Sequence, residues 1–227
     1  DAMEWPDSEL PLRYVKGFAS IFDIADSGVF RPEHQPAEID EQTFKAANTR
    51  MVAKLSDEIE RAATQGDDET RSRREHCWTR TKEEIQKKLV FGPYSRARMD
   101  KKYGRGKWRC IGRNAIWQKN KWRCIDNGKR SKHNKATTMR ERITCGRADF
   151  PVMIAREFAR REVKRSTIAK KRKLRMHHGT NDLMAAYRRV PTSTPEYTCV
   201  AVWNADAGKV SYLDVPGHNF GLKSAVV

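Results

Sequence analysis

Three short stretches hold residues whose types and spacing suit chemistry at phosphate. In Asn181-Asp182-Leu183-Met184-Ala185-Ala186-Tyr187-Arg188-Arg189-Val190-Pro191, an extended run ends on the Asp182 carboxylate, turns, and reaches Tyr187 five residues later. In Val215-Pro216-Gly217-His218-Asn219-Phe220-Gly221-Leu222-Lys223-Ser224-Ala225, a glycine follows an aromatic residue at a turn. Glycine there lets a backbone approach another group closely, because no Cβ stands in the way. In Gln118-Lys119-Asn120-Lys121-Trp122-Arg123-Cys124-Ile125-Asp126-Asn127-Gly128, a basic turn leads into a strand. Strand alternation puts Lys121, Arg123 and Ile125 on one face, and Trp122, Cys124 and Asp126 on the other. Arginine suits phosphate because its planar fork donates two parallel hydrogen bonds. Taken singly, each stretch also has an ordinary reading: a surface Asp with a core Tyr, a strand-to-helix turn, and a basic surface hairpin.

Taken in order over residues 113–225, the three resemble the reverse transcriptase family. The first is similar to its Asp-x-x-x-Ala-Tyr-x-x-(Val/Ile)-Pro motif, and the second to its Leu-Pro-Phe-Gly-Leu-x-x-Ala-Pro motif. The third is similar to a fingers hairpin in which a (Trp/Leu)-Arg-x-(Ile/Val/Leu)-Asp strand follows a basic turn. In the second stretch Gly217-His218-Asn219 are inserted between Pro and Phe, and Val226 replaces the usual Pro.

The resemblance implies template-directed DNA synthesis from an RNA or DNA template and a DNA primer, with deoxynucleoside triphosphates and two Mg²⁺ ions. Asp182 is then a catalytic metal ligand, with the Leu183 carbonyl as a second. Arg123 grips the nucleotide phosphates, with Lys119 or Lys121 beside it, and Ile125 packs on the templating base. The Tyr187 ring lies beneath the sugar and rejects a 2′-hydroxyl, while Phe220 and Gly221 line the same pocket. The family completes its metal site downstream with paired aspartates in a Tyr/Phe-x-Asp-Asp motif. The adjacent pair Asp67-Asp68 lies in a polar stretch on the wrong side of this region. The expectation is a right-hand polymerase fold of α+β class, cut off before the second carboxylate motif and inactive alone.

Composition agrees with a polyanion partner. The 227 residues carry a net charge of +17, unevenly placed: residues 61–189 are net +25 and residues 1–60 net −7. A basic segment interleaved with Trp and Tyr is the electrostatic footprint of a nucleic-acid binder. The alternative to the enzyme is a non-catalytic basic protein that binds nucleic acid, or a decayed retroelement remnant. The five cysteines include no Cys-x-x-Cys pair, which suggests reduced thiols in an intracellular compartment, nucleus or cytoplasm. No stretch reaches the length of a membrane span. Lys170-Lys171-Arg172-Lys173 fits a nuclear localisation signal or solvated charge, and His177-His178 with Cys199 lack the spacing of a closed zinc site.

Around these stretches the elements fall into three regions. Residues 1–78 read as an N-terminal extension, with an irregular first forty residues and an amphipathic helix from Thr43 to Ala63. Residues 64–75 read as a linker. Residues 79–175 form a basic fingers-like region, opening on a helix capped by Thr81 and Glu84 and stopped by Gly92-Pro93. It includes Lys107-Trp108-Arg109-Cys110-Ile111, echoed fourteen residues on by Lys121-Trp122-Arg123-Cys124-Ile125, and a helix opened by Pro151 with Val152, Ala155, Phe158, Ala159 and Val163 on one face. Residues 176–227 begin the palm, with a hairpin of Tyr197–Trp203 and Val210–Val215 turned at Asp206-Ala207-Gly208.

Overall fold

The computed structural model describes residues 8–142, 150–165 and 184–226. It divides into two compact units, one of residues 1–142 with 185–227 and one of residues 143–184. The fold is mixed α+β, with one five-stranded and one three-stranded sheet.

The larger sheet joins β3 (Phe91–Tyr94), β4 (Ile111–Gln118), β5 (Lys121–Asp126), β7 (Val200–Asn204) and β8 (Lys209–Asp214) in the order β3-β8-β7-β4-β5. All neighbours are antiparallel except β4 and β7, which run parallel. Its central strands are buried on both faces, which explains the near-continuous apolar runs in β7 and β8. Ala201 and Tyr212 meet Val52, Leu55 and Ile59 of α3 (Asn48–Thr64), together with Trp108 and Met99. On the other face Val200, Val202 and Leu213 meet Cys77 and Trp78 of α4 (Asp68–Gln86). The sheet therefore separates two helical layers. Gly112 belongs to the α3 face, where an added Cβ would come within 2.9 Å of Leu55.

Helix α4 overturns the linker expected over residues 64–75. Asp67 caps it by accepting from the Thr70 amide at 2.8 Å, and Asp68 and Glu69 face its positive N-terminal dipole. Arg71–Asp68 and Arg73–Glu69 pairs support the first turns, and only Cys77, Trp78 and Thr81 are buried. A stripe so narrow gives no strong helical periodicity. The helix also runs across the boundary expected between residues 78 and 79. Thr81 does not cap a helix start. It lies mid-helix, where its hydroxyl donates to the Cys77 carbonyl at 2.7 Å and accepts from Arg113 at 2.8 Å. The helix ends at Gln86, and Gly92-Pro93, a cis peptide, lies within β3.

The expected helix from Thr43 is two pieces, α2 (Glu41–Ala46), capped by Asp40, and α3, which meet at Ala47. The first forty residues are less irregular than expected. They contain α1 (Leu10–Lys16), β1 (Phe22–Asp23) and β2 (Arg31–Gln35). The two strands flank β6 (Thr137–Arg142), β1 in parallel and β2 antiparallel. Ile21 and Ile24 are buried, and the Glu141 carboxylate accepts from the amides of Ser27 and Gly28. Pro32 is tolerated because β2 is an edge strand. α5 (Arg96–Tyr103) is capped by Ser95 and buries Met99.

In the second unit, α6 (Phe150–Arg165) begins one residue before Pro151. Val152 and Phe158 of its expected apolar face are exposed.

Candidate functional site

The β4–β5 hairpin forms at the basic turn, where expected. Lys119 and Asn120 alone make the turn, both with positive φ (52° and 56°), so Lys121 is already in the strand opposite Gln118. Two left-handed residues in a two-residue loop match the twist of the flanking strands. The register pairs Ile116 with Arg123, Ala115 with Cys124 and Arg113 with Asp126. Lys121 and Arg123 are exposed on one face and Ile125 is half-buried there. Trp122 and Cys124 are half-buried on the other face, against the cluster beneath α4. Among the described residues, the Arg123 side chain has no ion-pair or hydrogen-bond partner.

The structure brings Tyr187 and Phe220 together. Tyr187 lies in the short α7 (Ala186–Arg189), and its ring meets that of Phe220 edge-on, with centroids 5.4 Å apart and planes at 65°. Residues 216–218 hold this contact's two segments side by side. The His218 amide donates to the Tyr187 carbonyl at 2.9 Å, and Thr192 donates to the Pro216 carbonyl at 2.9 Å. Gly217 lies so close to the Arg188 carbonyl that an added Cβ would fall 2.3 Å from it. Residues 216–218 thus form a short antiparallel ladder with residues 187–192 that zips the two segments together.

Gly221 carries the next contact. Its φ of +110° is a backbone region that L side chains rarely adopt, and a Cβ would fall 2.4 Å from the Asp126 carbonyl. The Phe220 carbonyl accepts from the Asp126 amide at 3.3 Å. The Phe-Gly turn is therefore seated on the last residue of β5. Along that strand Arg123 lies about 10 Å from this junction and Lys121 about 17 Å, at about 3.4 Å per residue, with Lys119 farther still in the turn. The two lysines belong to the hairpin tip rather than to the Tyr187–Phe220 corner.

Beneath the corner lies a buried charge network that the sequence reading did not single out. Arg113 is entirely enclosed; it donates to Asp126 at 3.0 Å, Glu84 at 2.8 Å and Thr81 at 2.8 Å. Arg188 donates to the other Asp126 oxygen, to Asn219 and to the His218 carbonyl. Burial alone would raise the Asp126 pKa, but the two guanidiniums outweigh it and hold it down at about 2. The same carboxylates keep Arg113 charged against the desolvation that would lower its pKa. A hairpin with a two-residue turn at Lys119-Asn120 necessarily sets Arg113 opposite Asp126, so this ion pair was available from register. Glu84 and Thr81 are one turn apart on α4. The spacing that resembles a capping box in fact presents two acceptors to one arginine.

Asp182 and Leu183 lie outside the described residues, as do His177, His178 and the Lys170–Lys173 run. Among the described residues no group of three His, Cys, Asp or Glu side chains could hold a metal ion. Asp126 and Glu84, the two carboxylates of this network, are engaged by arginines and are not free to ligate Mg²⁺. Tyr187 also borders a cavity of about 260 Å³ lined by Phe18, Ile24 and His218. Burial lowers the His218 pKa and favours the neutral ring. No described helix is long and apolar enough to cross a membrane. No protein-family model, curated protein or solved structure matches the chain.

Proposed function

We propose that this chain is the fingers and the beginning of the palm of a retroelement reverse transcriptase, a polymerase that copies RNA or DNA into DNA. The observation that carries the reading is the Tyr187–Phe220 contact, 5.4 Å between ring centroids, with Gly221 seated on the end of the basic hairpin. Segments likened to three successive polymerase motifs thereby share one corner of the molecule. In this reading Arg123 holds the nucleotide phosphates, with Lys119 and Lys121 extending the positive surface toward the template. Ile125 packs on the templating base. The Tyr187 ring face offers no partner to a buried 2′-hydroxyl, so a ribose is excluded by a clash. Mg²⁺, held by Asp182 and the Leu183 carbonyl, enters on the resemblance alone. When bound it would neutralise charge on the phosphates.

The test is equilibrium binding of dATP and ATP to the chain on an RNA template with a DNA primer. The expected result is a preference for the deoxynucleotide that Tyr187→Ala relaxes and Arg123→Ala weakens for both ligands. An unchanged ribo/deoxyribo ratio in Tyr187→Ala would make Tyr187 a packing residue and sink the reading. The charge of residues 61–189 also supports a second reading, a non-catalytic nucleic-acid binder. That reading predicts salt-dependent binding of the primer–template with no nucleotide preference at all.

A further inference from the structure

Two cysteines on different elements meet beneath the hairpin. The Cys124 sulfur, on the inner face of β5, lies 3.9 Å from the Cys77 sulfur on α4. Cys77 is fully buried, whereas Cys124 is half-buried at the margin of the same cluster. The other two described cysteines, Cys110 and Cys199, are buried on the α3 side of the sheet.

We propose that Cys77 and Cys124 form a site of reversible oxidation, in which Cys124 reacts with a peroxide and Cys77 resolves it to a disulfide. The argument is geometric first. Side-chain rotation must close the sulfur pair by about 2 Å to reach bonding distance. Accessibility then orders the two thiols, because an oxidant meets the half-buried Cys124 before the enclosed Cys77. Electrostatics favours the same order. The contact with Cys77 and the nearby Arg113 guanidinium lower the Cys124 pKa, while that contact and burial raise the Cys77 pKa. The thiolate is the nucleophile, so the proton is held by Cys77 and the reactive form by Cys124.

In the first step the Cys124 thiolate attacks one peroxide oxygen, the O–O bond breaks, and the departing hydroxide takes up a proton to become water. Cys124 is left as a sulfenic acid. In the second, the Cys77 sulfur gives up its proton and attacks the Cys124 sulfur. The S–O bond breaks and the oxygen leaves as a second water. Two thiols and one peroxide thus give one disulfide and two waters, and a dithiol reductant reverses the change. The bond would tether β5 to α4 directly behind Arg123. This inference is independent of any role in nucleotide binding.

The experiment exposes the intact chain to hydrogen peroxide, alkylates the remaining thiols, and maps peptides without reductant. Titratable thiols should fall from the five in the sequence to three, with one cross-linked peptide pair through Cys77 and Cys124. Dithiothreitol should restore all five. Cys77→Ser should leave Cys124 as a sulfenic acid that dimedone captures, and Cys124→Ser should leave Cys77 unreacted. Full alkylation of both residues after peroxide would overturn the proposal. So would a Cys124 sulfinic acid with Cys77 still free, or cross-links through other cysteines. The wild-type mapping decides the matter even if a serine variant folds poorly.

Discussion

Lys107-Trp108-Arg109-Cys110-Ile111 and Lys121-Trp122-Arg123-Cys124-Ile125 are the same five residues with opposite fates. In the first copy Trp108, Arg109, Cys110 and Ile111 are all at most 2% exposed. Arg109 lies over the Phe44 ring at 3.5 Å and donates to Asn48, to the Ser131 carbonyl and to the Phe44 carbonyl. All three acceptors are neutral. Burial pulls its pKa down to about 10, still far above neutrality, so a charge is kept in the core without a carboxylate. In the second copy Arg123 is exposed and Trp122 half-buried. The difference is context: α2, α3 and the 131–133 turn close over the first copy, while the tight turn at Lys119-Asn120 carries the second to a sheet edge. A pentapeptide therefore specifies which groups are available, and its neighbours decide whether they serve stability or solvent.

The comparison is most easily broken by removing each arginine. Arg109→Ala strands the Phe44 and Ser131 carbonyls and the Asn48 amide oxygen in the interior. It should destabilise the chain by about 3–5 kcal/mol in chemical denaturation. Arg123→Ala should change stability by no more than about 0.5 kcal/mol. Similar losses at the two positions would refute the distinction.

Acid should probe the buried copy next. His133 packs on Phe44 with ring centroids 5.2 Å apart; burial, and then the Arg109 charge, push its pKa down to about 3. The folded state binds this proton less well than the unfolded chain, so its contribution to stability is complete above the ordinary value of 6.5. It is lost as pH falls from 6.5 toward about 3, at up to about 1.4 kcal/mol per pH unit. His133→Gln should flatten that part of the pH–stability profile. Asp126 adds a second loss only below 3.8, as pH approaches its own value of about 2.

On the exposed copy the expected effect is on ligand rather than on folding. If Arg123 holds nucleotide phosphates as proposed, Arg123→Ala should weaken deoxynucleotide binding by roughly ten- to a hundredfold, as befits one charge-assisted contact of about 1.5–3 kcal/mol. Arg109→Ala, assayed where it remains folded, should do much less. The smallest effect is expected at the turn. Asn120→Gly should stabilise the hairpin by about 0.5–1 kcal/mol, since glycine adopts the left-handed conformation at the second turn position without strain. A loss of stability there would mean that the Asn120 side chain contributes more than its backbone conformation.

Much of the sheet was legible because its signals are local. The alternation of Lys121 through Asp126 and the Gly208 turn between β7 and β8 both depend on near neighbours and both formed as expected, although β7 begins at Val200 and not at Tyr197, which lies in a 3₁₀ turn. The convergence of Tyr187 on Phe220 was also expected, from the resemblance. What escaped notice depends on distant partners. Helix α4 is anchored by one cap and three buried residues, so its polar first half reads as linker. β1 and β2 are strands only because β6 lies between them. Arg109 and Arg123 cannot be told apart until Phe44 and Ser131 are brought to the first of them.

The Arg113–Asp126–Arg188–Glu84 network has a consequence for inheritance. Arg113, Asp126 and Arg188 share one enclosed space with Glu84 at its rim, so a change of charge type at any of the three strands an ion where water scarcely reaches it. Such positions drift together or stay fixed. Because Arg188 follows Tyr187 and Asp126 ends the strand of Arg123, that restriction extends to the residues facing the candidate site. Among diverged copies of this gene, paired substitutions at 126 and 188 should be the trace it leaves.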